Sequence, residues 1–187
     1  ACNYRKDVRR CIESTLRWSN GRSIEVVVVD NGSTDGTSEW LEGLTSHDQR
    51  IRTVHMDHIL GEAAARNIGM KQSRGQTILM LDTSVEVIGD LFGPLQEKLG
   101  DPQVGVVGPF GLRTTDLRHF DEVSTACQVD AMQAYCFAFR RADLGKAGLM
   151  PESFRFYRNL DLQYSFQFRA KGFYIFADPT LPVLRHE

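Results

Sequence analysis

Hydrophobic and polar positions change rhythm along this chain often enough to mark its elements one by one. Residues 78–81 (Ile-Leu-Met-Leu) form an apolar run with no polar alternation, closed by Asp82 and the small residues Thr83 and Ser84. Such a run reads as a strand buried on both faces of a parallel sheet. Residues 24–30 repeat the design: Ile24, Glu25 and four valines lead to Asp30, followed by the turn Asn31-Gly32-Ser33-Thr34-Asp35-Gly36. Around these runs the period becomes helical. Val8, Cys11, Ile12, Thr15 and Leu16 predict an amphipathic helix over 3–18, with Arg5, Lys6, Arg9, Arg10 and Glu13 as its solvated face. Further helices are expected over 34–44, 61–70 and 90–99, and further strands over 51–55 and 104–107.

A regular alternation of strand and helix implies βαβ units with right-handed crossovers, hence a three-layer α/β/α sandwich on a mostly parallel central sheet. Ligands of such sheets sit beyond the carboxyl ends of the strands. Asp30 and Asp82 are therefore expected on neighbouring strand ends, lining one cleft. Taken singly, each acid could equally cap the turn that follows it. Past residue 108 the rhythm weakens. Residues 110–127 have no clear period and read as loop or hairpin, 132–139 as a strand, 142–147 as a short helix, and 149–157 as a loop bearing Pro and Phe. A helix over 160–171 carries Leu160, Tyr164 and Phe168 along one face; Gly172 stops it, and 174–177 make a last strand.

Composition narrows the class. At 187 residues and 42% hydrophobic content, the chain fits one domain with a real core. Its 22 Lys and Arg against 24 Asp and Glu leave a net charge of −2, which gives no field to gather nucleic acid or anionic lipid. No apolar run reaches the length of a membrane helix, and no signal peptide opens the chain. Cys2, Cys11, Cys127 and Cys136 lack metal-binding spacing and read as reduced, mostly buried thiols, which favours the cytosol.

Several of these stretches together resemble the nucleotide-sugar-dependent glycosyltransferases of the GT-A fold, specifically the large inverting family 2. The carriers are Cys2-Asn3 with 8–16, the Asp30–Gly36 turn, the Gly61-to-Gly69 helix with its Ala-Arg-Asn, Leu81 to Val87 in place of Leu-Asp-x-Asp, Leu160-Asp161-Leu162, and the closing Val183 to His186. The order is kept across nearly the whole chain. The family opens with a strand just before the Cys2 position. The expectation is therefore a sequence cut at its amino end, with a short apolar strand directly upstream of Ala1.

The resemblance implies transfer of a sugar from a nucleoside-diphosphate sugar to a hydroxyl of a carbohydrate or lipid-linked acceptor. It places nucleotide binding in residues 1–108 and acceptor binding in 109–187, in a cytoplasmic protein or one peripheral at the inner membrane face. Asp30 and Arg66 would hold the nucleotide, with Asn3, Asn31, Ser33 and Asp82 in the same pocket; alternatively, Arg66 makes a structural ion pair with Asp30 or Asp82. A divalent cation, Mg²⁺ or Mn²⁺, would sit at Asp82, Ser84 and His186.

Two positions depart from the family. Ser84 stands where a second metal-binding acid is usual, and a serine brings no negative charge. Glu86 could substitute, although the exposed acid common at that position is the plainer reading. Arg158-Asn159 stands where the family carries its catalytic acid pair, and an amide cannot act as a base. Asp161 is then the candidate base, though in the family the acid at this helix start is more often structural, capping or pairing. A cation is accordingly expected to be weak or dispensable. Three readings stay open: a working inverting transferase, a module that binds nucleotide without transfer, and an interaction domain with an empty crevice.

Overall fold

Helix α1 (Arg5–Arg17) leads into strand β1 (Val26–Asn31), helix α2 (Thr37–His47) and strand β2 (Ile51–Met56). Helix α3 (Glu62–Gln72), strands β3 (Thr77–Leu81) and β4 (Val85–Val87), helix α4 (Phe92–Leu99) and strand β5 (Val104–Gly108) complete the alternating half. The structure, a computed structural model, describes residues 1–153 and 159–186. Much of the loop expected over 149–157, and Arg158 with it, lies outside the described residues. The second half adds short strands β6 (Gly111–Arg113), β7 (Asp121–Glu122), β8 (Cys127–Val129) and β9 (Ala131–Met132), then β10 (Cys136–Arg140). A 3-10 turn and helix α5 (Leu144–Ala147) follow, then α6 (Leu160–Arg169), β11 (Tyr174–Ala177) and β12 (Val183–Arg185).

The main sheet has the order β3-β10-β5-β11-β8. Strands β3, β5 and β11 point one way, while β10 and β8 run against them. Side chains of β5 and β10 alternate between two hydrophobic layers. Val106, Phe137 and Phe139 join α6 residues Leu160, Tyr164 and Phe168 on one face, whereas Val107, Cys136 and Ala138 meet α4 residues Leu95 and Leu99 on the other. That two-sided burial is the sandwich read from the sequence. Tyr164 and Phe168 meet edge to face at 5.3 Å between ring centroids, one of a chain of ring contacts through Phe139 and Phe173. Each such pair adds about 0.5–1.5 kcal/mol beyond area burial. At the end of β5, a Cβ on Gly108 would stand 2.4 Å from the Cys136 carbonyl oxygen, so the close approach of β5 to β10 requires glycine there.

Several expectations need correction. Among the described residues β1 pairs with β2 and is not hydrogen-bonded to β3. The other edge of β1 is taken by the backbone of Ala1, which donates to the Val29 carbonyl and accepts from Asn31 N. β3 is covered on both faces but less completely than expected: Ile78 is buried and Met80 half-buried in one layer, while Leu79 and Leu81 pack half-buried against the other. The strand expected over 132–139 is broken at 133–135, where Gln133 N donates to Phe110 O and Tyr135 O accepts from Asp82 N. Within 110–127 a hairpin forms, β6 against β7. The β12–β4 ladder was not foreseen; it ties the closing residues to the segment after Asp82. Among the described residues no helix is long and apolar enough to cross a membrane.

Candidate active site

The turn after β1 is built by its own polar side chains. Asp30 is 1% exposed and accepts from Ser33 N at 3.2 Å, from the Ser38 hydroxyl, and from His55 Nδ1 at 3.1 Å. Burial alone would raise its carboxyl, but the bonds from Ser33, Ser38 and His55 outweigh that and hold it below the ordinary carboxylate value. Asn3 adopts a left-handed backbone (φ 60°), accepts from Thr34 N at 2.8 Å, and donates its own N–H to Ser33 Oγ at 2.8 Å. Asn31 accepts from Leu60 N at 2.9 Å, which draws the 57–61 loop onto the turn. Gly32 has φ 74°, and a Cβ there would meet the His58 backbone at 3.0 Å. The Asn3, Asn31 and Ser33 side chains are thus engaged in shaping this corner.

Arg66 is the hub of the site. It is buried on α3, its Nε donates to Glu62 Oε1 at 2.7 Å, and one terminal nitrogen lies 3.8 Å from Asp82 Oδ2. Helix α3 packs against β1 and carries Arg66, which faces Asp82, so both strand ends border one helix although their strands are not paired. Asp30 is not an ion-pair partner of Arg66; the near partner is Glu62, one helical turn back. Asn67, next in the chain, is also buried. It donates to Met150 O and accepts from Met150 N, both at 2.9 Å, and so pins the second half of the chain to α3.

The Asp82 carboxylate faces two ways. Oδ1 accepts from Ser84 N at 2.9 Å and Ser84 Oγ at 2.7 Å, while Oδ2 faces Arg66. Ser84 therefore occupies the carboxylate instead of standing beside it as a free ligand. The His186 imidazole does not reach this pair. Its Nε2 lies 2.8 Å from Glu86 Oε2, with Arg10 Nε at 4.0 Å from the same oxygen, and only its backbone N–H returns to Ser84 O. Glu86 is accordingly half-buried and ion-paired, not the exposed acid expected, and Arg10 is not on a solvated face. Among the described residues no group of three or more His, Cys, Asp or Glu is placed to hold a metal ion. One carboxylate, already bonded, does not fit a cation held by protein alone.

Asp161 lies in the first turn of α6, which Asn159 precedes in a left-handed conformation (φ 67°). Burial raises its carboxyl above the ordinary value, against N–H bonds from Leu162 and Ala134 and the positive charge of Arg66. Cys11 bonds the Asp82 carbonyl at 3.5 Å, and burial pushes its thiol up to about 12, so it is no nucleophile at neutral pH. All four cysteines are free thiols.

A model of the family described as "Glycosyl transferase family 2" matches residues 1–170. The chain belongs to this family. Among curated relatives, glycosyltransferase GlyG of Streptococcus pneumoniae serotype 4 is 31% identical over 107 residues, covering 55% of this chain and 35% of the relative. The uncharacterized glycosyltransferase EpsJ of Bacillus subtilis is 33% identical over 106 residues, covering 57% of this chain and 30% of the relative. The chain thus spans about a third of the length of these relatives. Two solved structures share the GT-A fold. GalNAc-T7, in a crystal structure with UDP, GalNAc and Mn²⁺, superposes with TM-score 0.83 at 16% identity, covering 97% of this chain and 41% of that one. The mannosyltransferase PcManGT of Pyrobaculum calidifontis, in complex with GDP-Man and Mn²⁺, gives 0.77 at 18% identity, covering 97% and 53%.

Within this family-2 chain, sequence reasoning missed Glu62, Asn67 and His55. A signal existed for Glu62, since Glu and Arg at i and i+4 on a helix are neighbours. No sequence signal pairs Asn67 with Met150 or Asp30 with His55.

Proposed function

We propose that this chain is the catalytic core of an inverting glycosyltransferase that moves a hexosyl group from a nucleoside-diphosphate sugar to an acceptor hydroxyl. The observation that carries this is the Asp82 carboxylate set 3.8 Å from the buried Arg66 of α3, in a chain that matches the family-2 model over residues 1–170. Transfer needs the nucleotide held, the leaving diphosphate neutralised and a proton removed. Residues 1–108 supply the first through the Asp30–Gly36 turn with Asn3, Asn31 and Ser33. Arg66, buried and facing Asp82, suits the second. Its charge is only partly spent, since Asp82 stands at 3.8 Å. A divalent cation such as Mg²⁺ or Mn²⁺ would add positive charge at Asp82, but Ser84 and His186 give it little support, so dependence on it is weak. Asp161 supplies the third: a half-buried carboxyl with a raised affinity for protons suits a general base. Residues 109–187 would carry the acceptor, a carbohydrate or a lipid-linked sugar. A cleft of about 220 Å³ lined by Phe110, Glu122, Val123 and Leu181 suits it. Arg185 stacks beside that cleft on Tyr135 at 4.7 Å.

A second reading, nucleotide binding without transfer, rests on Ser84 and Asn159 standing where acids serve the chemistry. Incubating the protein with UDP- and GDP-sugars, in Mn²⁺ and in EDTA, and measuring both binding and release of nucleotide separates the two. Release that Asp161→Asn abolishes supports transfer. Binding without release supports the second reading, and failure to bind any nucleotide sugar overturns both.

A further inference from the structure

His55 lies directly opposite Asp30 in the parallel β1–β2 register, at the carboxyl ends of both strands. Asp30 is almost without exposed surface, and its two oxygens already take bonds from Ser33 N, the Ser38 hydroxyl and His55 Nδ1. A carboxylate offers about four lone-pair sites. With three filled and no open approach, Asp30 is poorly placed to meet a nucleobase itself. His55 is placed for it: its side chain is 34% exposed, and among the described residues no hydrogen bond to its Nε2 is present. An ionised carboxylate can only accept, so the Nδ1–Asp30 bond requires the proton on Nδ1. In the neutral ring Nε2 then carries a lone pair free to accept. The carboxylate fixes the tautomer as it does for metal-bound histidines.

We propose that His55, oriented by the buried Asp30, reads the base of the nucleotide by accepting from a ring N–H, and so selects uracil or guanine over cytosine and adenine. This inference rests on the nucleotide-sugar reading above. Uracil and cytosine share size and shape, but uracil presents N3–H where cytosine presents a lone pair. Against a fixed acceptor the first forms a hydrogen bond and the second sets two lone pairs face to face. Asp30 is in this account a positioning residue, acting through the imidazole.

The test is calorimetric titration of UDP and CDP against wild type, His55→Phe, His55→Gln and Asp30→Asn, with ¹⁵N NMR of the imidazole. Wild type should bind UDP roughly tenfold or more tighter than CDP, the scale of one hydrogen bond and its unmade counterpart. His55→Phe should erase that ratio by weakening UDP, and His55→Gln, whose amide oxygen can accept, should restore part of it. The ring should show an Nδ1–H tautomer whose Nε2 signal moves on adding UDP, and Asp30→Asn should lose both the single tautomer and the ratio. An unchanged UDP-to-CDP ratio in His55→Phe, or an Nε2–H tautomer in the free protein, overturns the proposal while leaving the nucleotide-sugar reading intact. If wild type binds neither nucleotide, that reading falls and takes this inference with it.

Discussion

A terminal nitrogen of Arg66 lies 3.8 Å from Asp82 Oδ2, close enough for attraction and too far for a hydrogen bond, while Glu62 holds the guanidinium from the other side at 2.7 Å. The arginine is oriented yet not saturated. A diphosphate arriving at Asp82 could complete its bonding. Arg66→Ala should weaken UDP or GDP binding by roughly 10- to 100-fold, the scale of one or two charge-assisted bonds, equally in Mn²⁺ and EDTA. Titration calorimetry checks it; affinity that falls only in Mn²⁺ would place the guanidinium away from the phosphates.

Restoring the family's second acid should separate metal from nucleotide. Ser84→Asp removes the hydroxyl bond to Asp82 Oδ1 and sets a second carboxylate beside it. Repulsion between the two should lower Tm in EDTA, and Mn²⁺ should raise it again by screening both charges. Wild type should show little change in Tm with Mn²⁺. Differential scanning calorimetry of both proteins, with and without the cation, decides it.

Asp161 links the proposed chemistry to stability. Its carboxyl binds a proton more tightly folded than unfolded, because burial raises it. A carboxyl with a raised folded value favours the folded state at pH below that value. The advantage is lost as pH rises through the unfolded and then the folded value, so at neutral pH the ionised group is a cost. Asp161→Asn should therefore raise Tm at neutral pH, lose that advantage in acid, and abolish sugar transfer with nucleotide affinity kept. The wild-type rate should fall with acid at a pH above the ordinary carboxylate range, since the base must be ionised. A variant that transfers sugar at the wild-type rate would remove Asp161 from the mechanism.

Asn67 supports the site from behind. Its amide satisfies both the N–H and the carbonyl of Met150, all of them buried. Asn67→Ala would leave two backbone groups unpaired, at a cost of about 1–3 kcal/mol. At this chain length that lowers Tm by about 2–4 °C per kcal/mol. Thermal denaturation reads the loss, and a change below 1 °C would mean that water takes over both bonds.

The order of helices and strands, the two-sided core and the acids at the strand ends were legible because each is a local pattern. The valine run before Asp30 has the β-branched composition of a strand, and Leu160, Tyr164 and Phe168 at helical spacing share one face. The turn from Asp30 to Gly36 likewise announces itself through glycines where φ must be positive. What the tertiary structure decided is which polar side chain meets which. Ser84 reads in sequence as a missing metal ligand, and folding makes it a donor to Asp82. His186 reads as a metal ligand, and the β12–β4 ladder delivers its ring to Glu86, 100 residues away. Asp30 reads as a contact for the base, and the register of β1 on β2 encloses it behind His55. Polar partners follow no period, because a hydrogen bond needs about 3 Å and a direction, and only the packed backbone supplies these. Hydrophobic burial, which is non-directional, leaves its pattern in the sequence.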